Sequence, residues 1–400
     1  MRRRTLGATA LAATTTALVS PAVPAAAHRP GDGTGNPPAG VPTARGPRQS
    51  PPAPQIGRLD VVHRFTGPIP AGVTVSARGR VFVTFPRWAD PVDATLVELV
   101  DGREVPFPTA AVNRPDTANA AQHFISIQSA VVDPVDRLWA LDTGRLNFGP
   151  LIPGGPKLVG IDLRTNRVIR TIRFPADVVL PTTYLNDVRF DLRRGRAGLA
   201  FITDSGDEGP NGIIVVDLAS GRSWRKLTGH PSVRAEPGFT AVIEGEPIAG
   251  FRTGSDGIAI DARGERLFYS PIASRTLNSV ALDALADPGA DDDTVVRTVR
   301  NHGLKGQSDG LESDDRGRVY GGDTERNAIV RRRTDGRYET VVQSPALLWP
   351  DTLSISRDRH LYVIANQLHR QPQYQGGTDE REKPYALLRT PIDAGPVRLR

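Results

Sequence analysis

One pattern returns six times along this chain: a short strand, a turn carrying Asp, Gly or Arg, and a second strand rich in β-branched and aromatic residues. It occupies 73–85 (VTVSARGRVFVTF), 130–142 (AVVDPVDRLWALD), 187–204 (DVRFDLRRGRAGLAFITD), 257–270 (GIAIDARGERLFYS), 310–323 (GLESDDRGRVYGGD) and 352–366 (TLSISRDRHLYVIAN). With Val81, Leu138, Leu199, Leu267, Val319 and Leu361 as equivalent positions, the steps are 57, 61, 68, 52 and 42 residues. Self-similarity at such a period marks a repeat architecture, in which each unit buries its apolar face only against its neighbours. After each hairpin an apolar strand runs into an Asp-containing turn, as at 96–101, 158–162 and 213–217, and a fourth strand usually follows. Six units of four strands predict an all-β fold, a six-bladed β-propeller. The segment 59–65 (LDVVHRF) stands before the first unit, while the last unit lacks a fourth strand, so 59–65 is expected to pair with the last blade and close the ring. A sandwich would not give such regular hairpin pairs, and no convincing amphipathic helix lies between them to build a parallel sheet.

Before the repeats, residues 1–27 carry the parts of an export signal: Arg2-Arg3-Arg4, a mild apolar stretch and Ala25-Ala26-Ala27 as a cleavage site. Arg3-Arg4-Thr5-Leu6 resembles a twin-arginine signal, so the general secretory and twin-arginine routes both stay open, and the product is expected to be secreted. Residues 28–56 are Pro- and Gly-rich with almost no apolar side chains and read as a disordered linker, leaving 57–400 for the propeller. The chain has no Cys, which excludes a disulfide scaffold and a cysteine-ligated metal. Its formal charge of +6 includes the three leader arginines. What remains is too small to indicate nucleic acid or, once the signal is removed, an anionic membrane as partner. The expected partner is a small molecule, and the expected state a monomer.

Certain strings are more specific than the periodicity. Phe124-Ile125-Ser126-Ile127-Gln128-Ser129 leads into VDPVDRLWALDTG at 132–144; Tyr184-Leu185-Asn186-Asp187-Val188, Asp256-Gly257-Ile258-Ala259, LFYSP at 267–271, Gln307-Ser308-Asp309-Gly310 and Leu348-Trp349-Pro350-Asp351-Thr352 follow in order. This series resembles the Yellow and major royal jelly protein family over nearly all of 59–393. The resemblance implies a secreted six-bladed propeller. It also implies one of several functions: dopachrome conversion in pigment pathways, amine binding in salivary members, or nutritive and signalling roles. The missing Cys and the absence of any Asn-x-Ser/Thr acceptor mean that the disulfides and glycosylation of insect members do not carry over.

In a propeller the residues just before each innermost strand converge on one mouth of the central channel. Here they read Gln128-Ser129, Asn186-Asp187, Ser255-Asp256, Ser308-Asp309 and Pro350-Asp351. Gln128, Asn186, Asp187, Asp256, Asp309, Asp351 and Trp349 are the candidate ligand-binding set. Such side chains also cap strand ends without any ligand. Asn186, Asp256 and Asp309 form a candidate oxygen-rich metal set suited to Ca²⁺, similar in local sequence to calcium-dependent lactonase propellers. No reading requires a cofactor. For a tautomerase, His302 and Lys305 are the candidate proton carrier and carboxylate-binding cation, with solvated surface residues as the alternative. Trp88 and Trp349 could stack a ligand, while Trp139 inside an apolar strand reads as core. The run Asp291-Asp292-Asp293 reads as a solvated turn. No zincin His spacing is present, which leaves a zinc-protease reading without support.

Overall fold

The computed structural model describes residues 55–400, so the leader at 1–27 and nearly all of the linker lie outside the described residues. Six four-stranded antiparallel sheets follow one another, five of them ordered from the channel outward as their strands occur in sequence and the sixth taking its outermost strand from the start of the domain. The innermost strands are Val73–Val75, Ile127–Val132, Leu185–Asp191, Ser255–Ile260, Leu311–Ser313 and Pro350–Ile355. The blades are numbered one to six in that order. The six expected hairpins are the inner two strands of the six blades, and the all-β propeller is the observed fold.

Blade six is completed by Asp60–Phe65, which pairs antiparallel with Tyr385–Pro391 from Asp60↔Arg389 to Phe65↔Tyr385. The ring is therefore closed by the N-terminal strand, and Phe65 is fully buried with Phe85 and Tyr385 in one cluster. Closure pairs an edge that would otherwise be open. Ile56 also forms an antiparallel bridge to Gln343 of blade five, so ordered pairing begins slightly before the expected boundary.

Burial alternates between blade interfaces rather than filling one central core. Trp139, for instance, packs with Leu185, Val188 and Phe190 of the next blade and donates its Nε1 hydrogen to Asp133 at 2.9 Å, in the structural role expected for it. Helices are few and short. The Asp291-Asp292-Asp293 run opens one of them, Asp292–Val296, rather than a plain turn: the Asp291 carboxylate accepts from Thr294 N at 2.7 Å and caps the helix start. An additional two-stranded hairpin, Thr240–Ile243 and Glu246–Ala249, stands outside the blades.

Candidate functional site

Two glycines explain how carboxylates from separate blades meet. A side chain at Gly257 would come within 2.3 Å of the Asp309 carbonyl oxygen, and one at Gly310 within 2.7 Å of the Asp351 carbonyl oxygen. The Asp-Gly pairs of blades four and five thus let each innermost strand press against the next, and Gly310 N donates to Asp351 O at 3.2 Å. The backbone before each glycine carries an Asp, so the close approach delivers Asp256, Asp309 and Asp351 to one mouth.

All three carboxyls are buried, and no ion pair reaches any of them among the described residues. Burial is the main cause that raises their pKa values. Asp256 is pushed well above the carboxylate range by burial, then by Asp309, Asp351 and Asp187. Asp351 is raised in the same way by burial and Asp309. Asp309 is pushed up to about 6 by burial, an effect opposed by hydrogen bonds from Trp349 and Asp256. The proximity of the two carboxyls raises Asp256 and lowers Asp309, so their protonation is linked.

The remaining candidates are arranged around this trio. Asn186 donates from Nδ2 to Asp256 and to Ser205 Oγ, the latter at 2.9 Å. Trp349 donates from Nε1 to Asp309 Oδ2 at 2.6 Å. Asp351 accepts from Asn366 Nδ2 at 2.6 Å. Asp187 belongs to a different layer: it accepts from Ser129 Oγ and Arg189 Nη1, both at 2.8 Å, and its negative charge is thereby compensated. Gln128 accepts from the Tyr184 hydroxyl at 2.9 Å.

Aromatic rings form two walls. Trp88 stacks on Phe148 with 5.9 Å between centroids and donates to the Tyr184 hydroxyl at 2.7 Å. Phe251 stacks between Trp349 at 5.4 Å and Tyr374 at 4.5 Å. The Tyr184 and Tyr374 hydroxyls are both pushed up, by burial first. Negative charge at Asp256 and Asp351 adds to this for Tyr184, and charge at Asp207, Asp309 and Asp256 for Tyr374. A groove of about 490 Å³ beside Phe251 is lined by Asp207, Glu208 and Glu236 together with Arg234 and Arg252, so it carries charge of both signs.

His302 and Lys305 are not brought to this cluster. His302 lies in Arg300–Leu304, the outermost strand of blade four, where its Nε2 meets Ser279 Oγ at 2.7 Å and its ring sits 5.1 Å from Phe268. The stretch before the fifth inner strand is the outer rim of the preceding blade, which is why proximity in sequence misplaced it. Lys305 is buried apart from His302, with Nζ donating to Gly306 O at 3.0 Å, and burial lowers its pKa to about 7. Among the described residues no group of three or more His, Cys, Asp or Glu side chains is arranged to hold a metal. Sequence reasoning missed Tyr184, Asn366, Phe251 and Tyr374. Tyr184 stood within the Tyr184–Val188 motif and Asn366 closes the sixth repeat, whereas Phe251 and Tyr374 come from loops that carry no repeat signal.

Comparison with known proteins agrees with this architecture. The family model described as "Major royal jelly protein" matches residues 125–393. Protein yellow of Drosophila madeirensis is 30% identical over 250 residues, 57% of this chain and 42% of that protein. Major royal jelly protein 1 of Apis mellifera is 27% identical over 212 residues, 50% of this chain and 46% of that one. The match therefore spans less than half the length of these curated relatives. Among solved structures, regucalcin of Agrobacterium tumefaciens, described as a calcium-binding protein, covers 84% of this chain and 97% of its own with a TM-score of 0.51 and 15% identity. A luciferin-regenerating enzyme covers 87% and 100% with a TM-score of 0.54 and 10% identity. At these identities the two structures show a shared fold alone.

Proposed function

The chain belongs to the major royal jelly protein family, and from that premise we propose that its channel mouth binds a small aromatic molecule bearing a positively charged group, an aromatic amine being the type case. The observation that carries the reading is a buried carboxyl trio, Asp256, Asp309 and Asp351, with no cation of its own beside walls of stacked rings. Desolvated carboxylates without counterions are unfavourable, and an entering ammonium relieves this while its ring lies against Trp88 or Phe251. Tyramine titrated into the full chain is expected to bind saturably. The Asp256→Asn/Asp309→Asn double variant should bind at least about tenfold more weakly, since a hydrogen bond to a charged group contributes about 1.5–3 kcal/mol. Equal affinity in the double variant would overturn the reading.

A second reading rests on the linked, burial-raised carboxyls of Asp256 and Asp309. A carboxylate with a pKa near 6 beside a protonated neighbour suits general base and general acid roles. In a dopachrome-type tautomerisation, Asp309 would take the carbon-bound proton and Asp256 would return one to the other position. Dopachrome colour lost no faster with protein than in buffer rejects this reading and leaves the binding module. Calcium is the rival occupant, drawing oxygens from Asn186, Asp256 and Asp309, with lactone hydrolysis as the chemistry that would go with it. A melting temperature unmoved by millimolar calcium disposes of it.

Secretion is part of the proposal and rests on the leader pattern at 1–27. No helix among the described residues is long and apolar enough to cross a membrane. N-terminal sequencing of the mature protein should find His28 first.

A further inference from the structure

The channel has a second end, remote from the acidic mouth, where the innermost strands finish. A cavity of about 110 Å³ opens there, room for several waters or one small ion. Its wall carries three hydroxyls whose oxygens are already receiving hydrogen bonds. Thr74 Oγ1 accepts from Val132 N at 3.0 Å, and Ser354 Oγ accepts from Val75 N at 3.2 Å. Ser76 Oγ accepts from Arg78 N at 3.3 Å and Arg80 N at 3.0 Å. None of the three donates a hydrogen bond among the described residues, so each keeps its hydrogen for an acceptor.

The rim adds cations that lack anions. Arg357 and Arg398 both line the cavity, and neither forms an ion pair among the described residues. Arg398 donates to Pro134 O at 3.0 Å, and its pKa is lowered by partial burial and then by the charges of Arg357 and Arg400, with the nearby Asp136 carboxylate opposing. Deeper in, Arg189 uses Nη1 on Asp187 and Nη2 on Leu311 O at 2.7 Å, while its buried Nε hydrogen has no partner. The carboxylates of the wall are committed. Asp133 takes Arg137 at 2.6 Å and the Trp139 indole, Asp136 takes Ala77 N at 2.7 Å, and Glu312 accepts from Ser313 N at 2.8 Å. Burial raises the Glu312 pKa, and Arg189, whose Nη2 lies 3.8 Å from its carboxylate, opposes this. The three hydroxyl hydrogens, the Arg189 Nε hydrogen and the Arg357 and Arg398 guanidiniums are thus the donors left at this end.

We propose that this second mouth binds a small oxyanion, a phosphate, sulfate or carboxylate group, between the Arg357 and Arg398 guanidiniums and the hydroxyls of Thr74, Ser76 and Ser354. Charge-assisted hydrogen bonds from two guanidiniums supply the affinity, and the hydroxyls fix the position. The site is independent of the acidic mouth, and its ligand carries the opposite charge.

Inorganic phosphate, sulfate and acetate are each titrated into the full chain at constant ionic strength, with sodium chloride as the reference, and heat and melting temperature are recorded. At least one oxyanion is expected to bind saturably and to raise the melting temperature beyond the chloride reference. Arg357→Ala/Arg398→Ala should weaken that binding at least about tenfold, whereas Asp309→Asn should leave it unchanged. Arg357→Gln alone removes a side chain that makes no hydrogen bond among the described residues and should weaken binding without disturbing the fold. No saturable oxyanion signal above chloride, or a signal undiminished in both arginine variants, overturns the proposal.

Discussion

Asp256, Asp309 and Asp351 each sit in the folded chain with a pKa above that of an exposed aspartate. Because the native state holds protons that the unfolded chain has released, these groups add stability at low pH, and the contribution is lost as pH rises through their folded pKa values. The domain should therefore be more stable near pH 5 than near pH 7 as far as this trio is concerned. Asp309→Asn keeps an acceptor for the Trp349 indole and removes the charge. At pH 7 it should raise the unfolding free energy by roughly 1–3 kcal/mol, measured by denaturant melts, while weakening ligand binding. A destabilised Asp309→Asn variant would contradict the assigned electrostatics. At this scale the sequence was informative wherever the repeat set the position: Asn186, Asp256 and Asp351 are each the second residue of an inner strand, and Asp309 stands two residues before one. It was silent on charge compensation, since the pairing of Asp187 with Arg189 depends on which face each side chain takes after a bulge between Leu185 and Val188.

Among the elements, the hairpin outside the blades is held by one carboxylate at its tip. Glu244 and Gly245 both have positive φ, 54° and 82°, as a two-residue loop between right-twisted strands requires. The Glu244 carboxylate meets His369 Nε2 at 2.8 Å and Arg370 Nη2 at 2.6 Å, partners that lower its pKa to about 2 against the opposing effect of burial. That contribution is complete above the pKa of an exposed glutamate and disappears as pH falls toward about 2. Glu244→Gln should cost roughly 1–2 kcal/mol and increase amide exchange across Thr240–Ala249; unchanged protection there would show that the tip does not anchor the hairpin. The sequence EGEP at 244–247 carried a local turn signal, yet its docking onto a loop more than 120 residues away had no counterpart in the repeat pattern. Gly257→Ala should separate Asp256 from Asp309, because the added carbon would meet the Asp309 carbonyl at 2.3 Å. Denaturant melts should then show a loss of roughly 1–3 kcal/mol, and a variant as stable as the parent would remove the close-approach account of the mouth.

For the molecule as a whole, ring closure determines whether a mouth exists. Asp60–Phe65 supplies the fourth strand of blade six, and the order of the repeats made that visible: the last unit showed three strands while an unpaired strand stood before the first. Deleting everything before Gly67 removes a strand paired at five positions and the buried Phe65 ring, at about 1 kcal/mol net per hydrogen bond and about 3–5 kcal/mol for the ring. The truncated chain should melt well below the full chain, and an equal melting temperature would contradict the closure. The converging carboxyls make ligand binding and proton binding a single linked equilibrium. A cation seated among Asp256, Asp309 and Asp351 must lower their pKa values and expel protons. The most direct measurement is calorimetric titration of tyramine near pH 6.5 in two buffers of different ionisation enthalpy. The account predicts one saturable event with net proton release to the buffer, absent in Asp256→Asn/Asp309→Asn. Binding with no buffer dependence, or no binding at all, would contradict it.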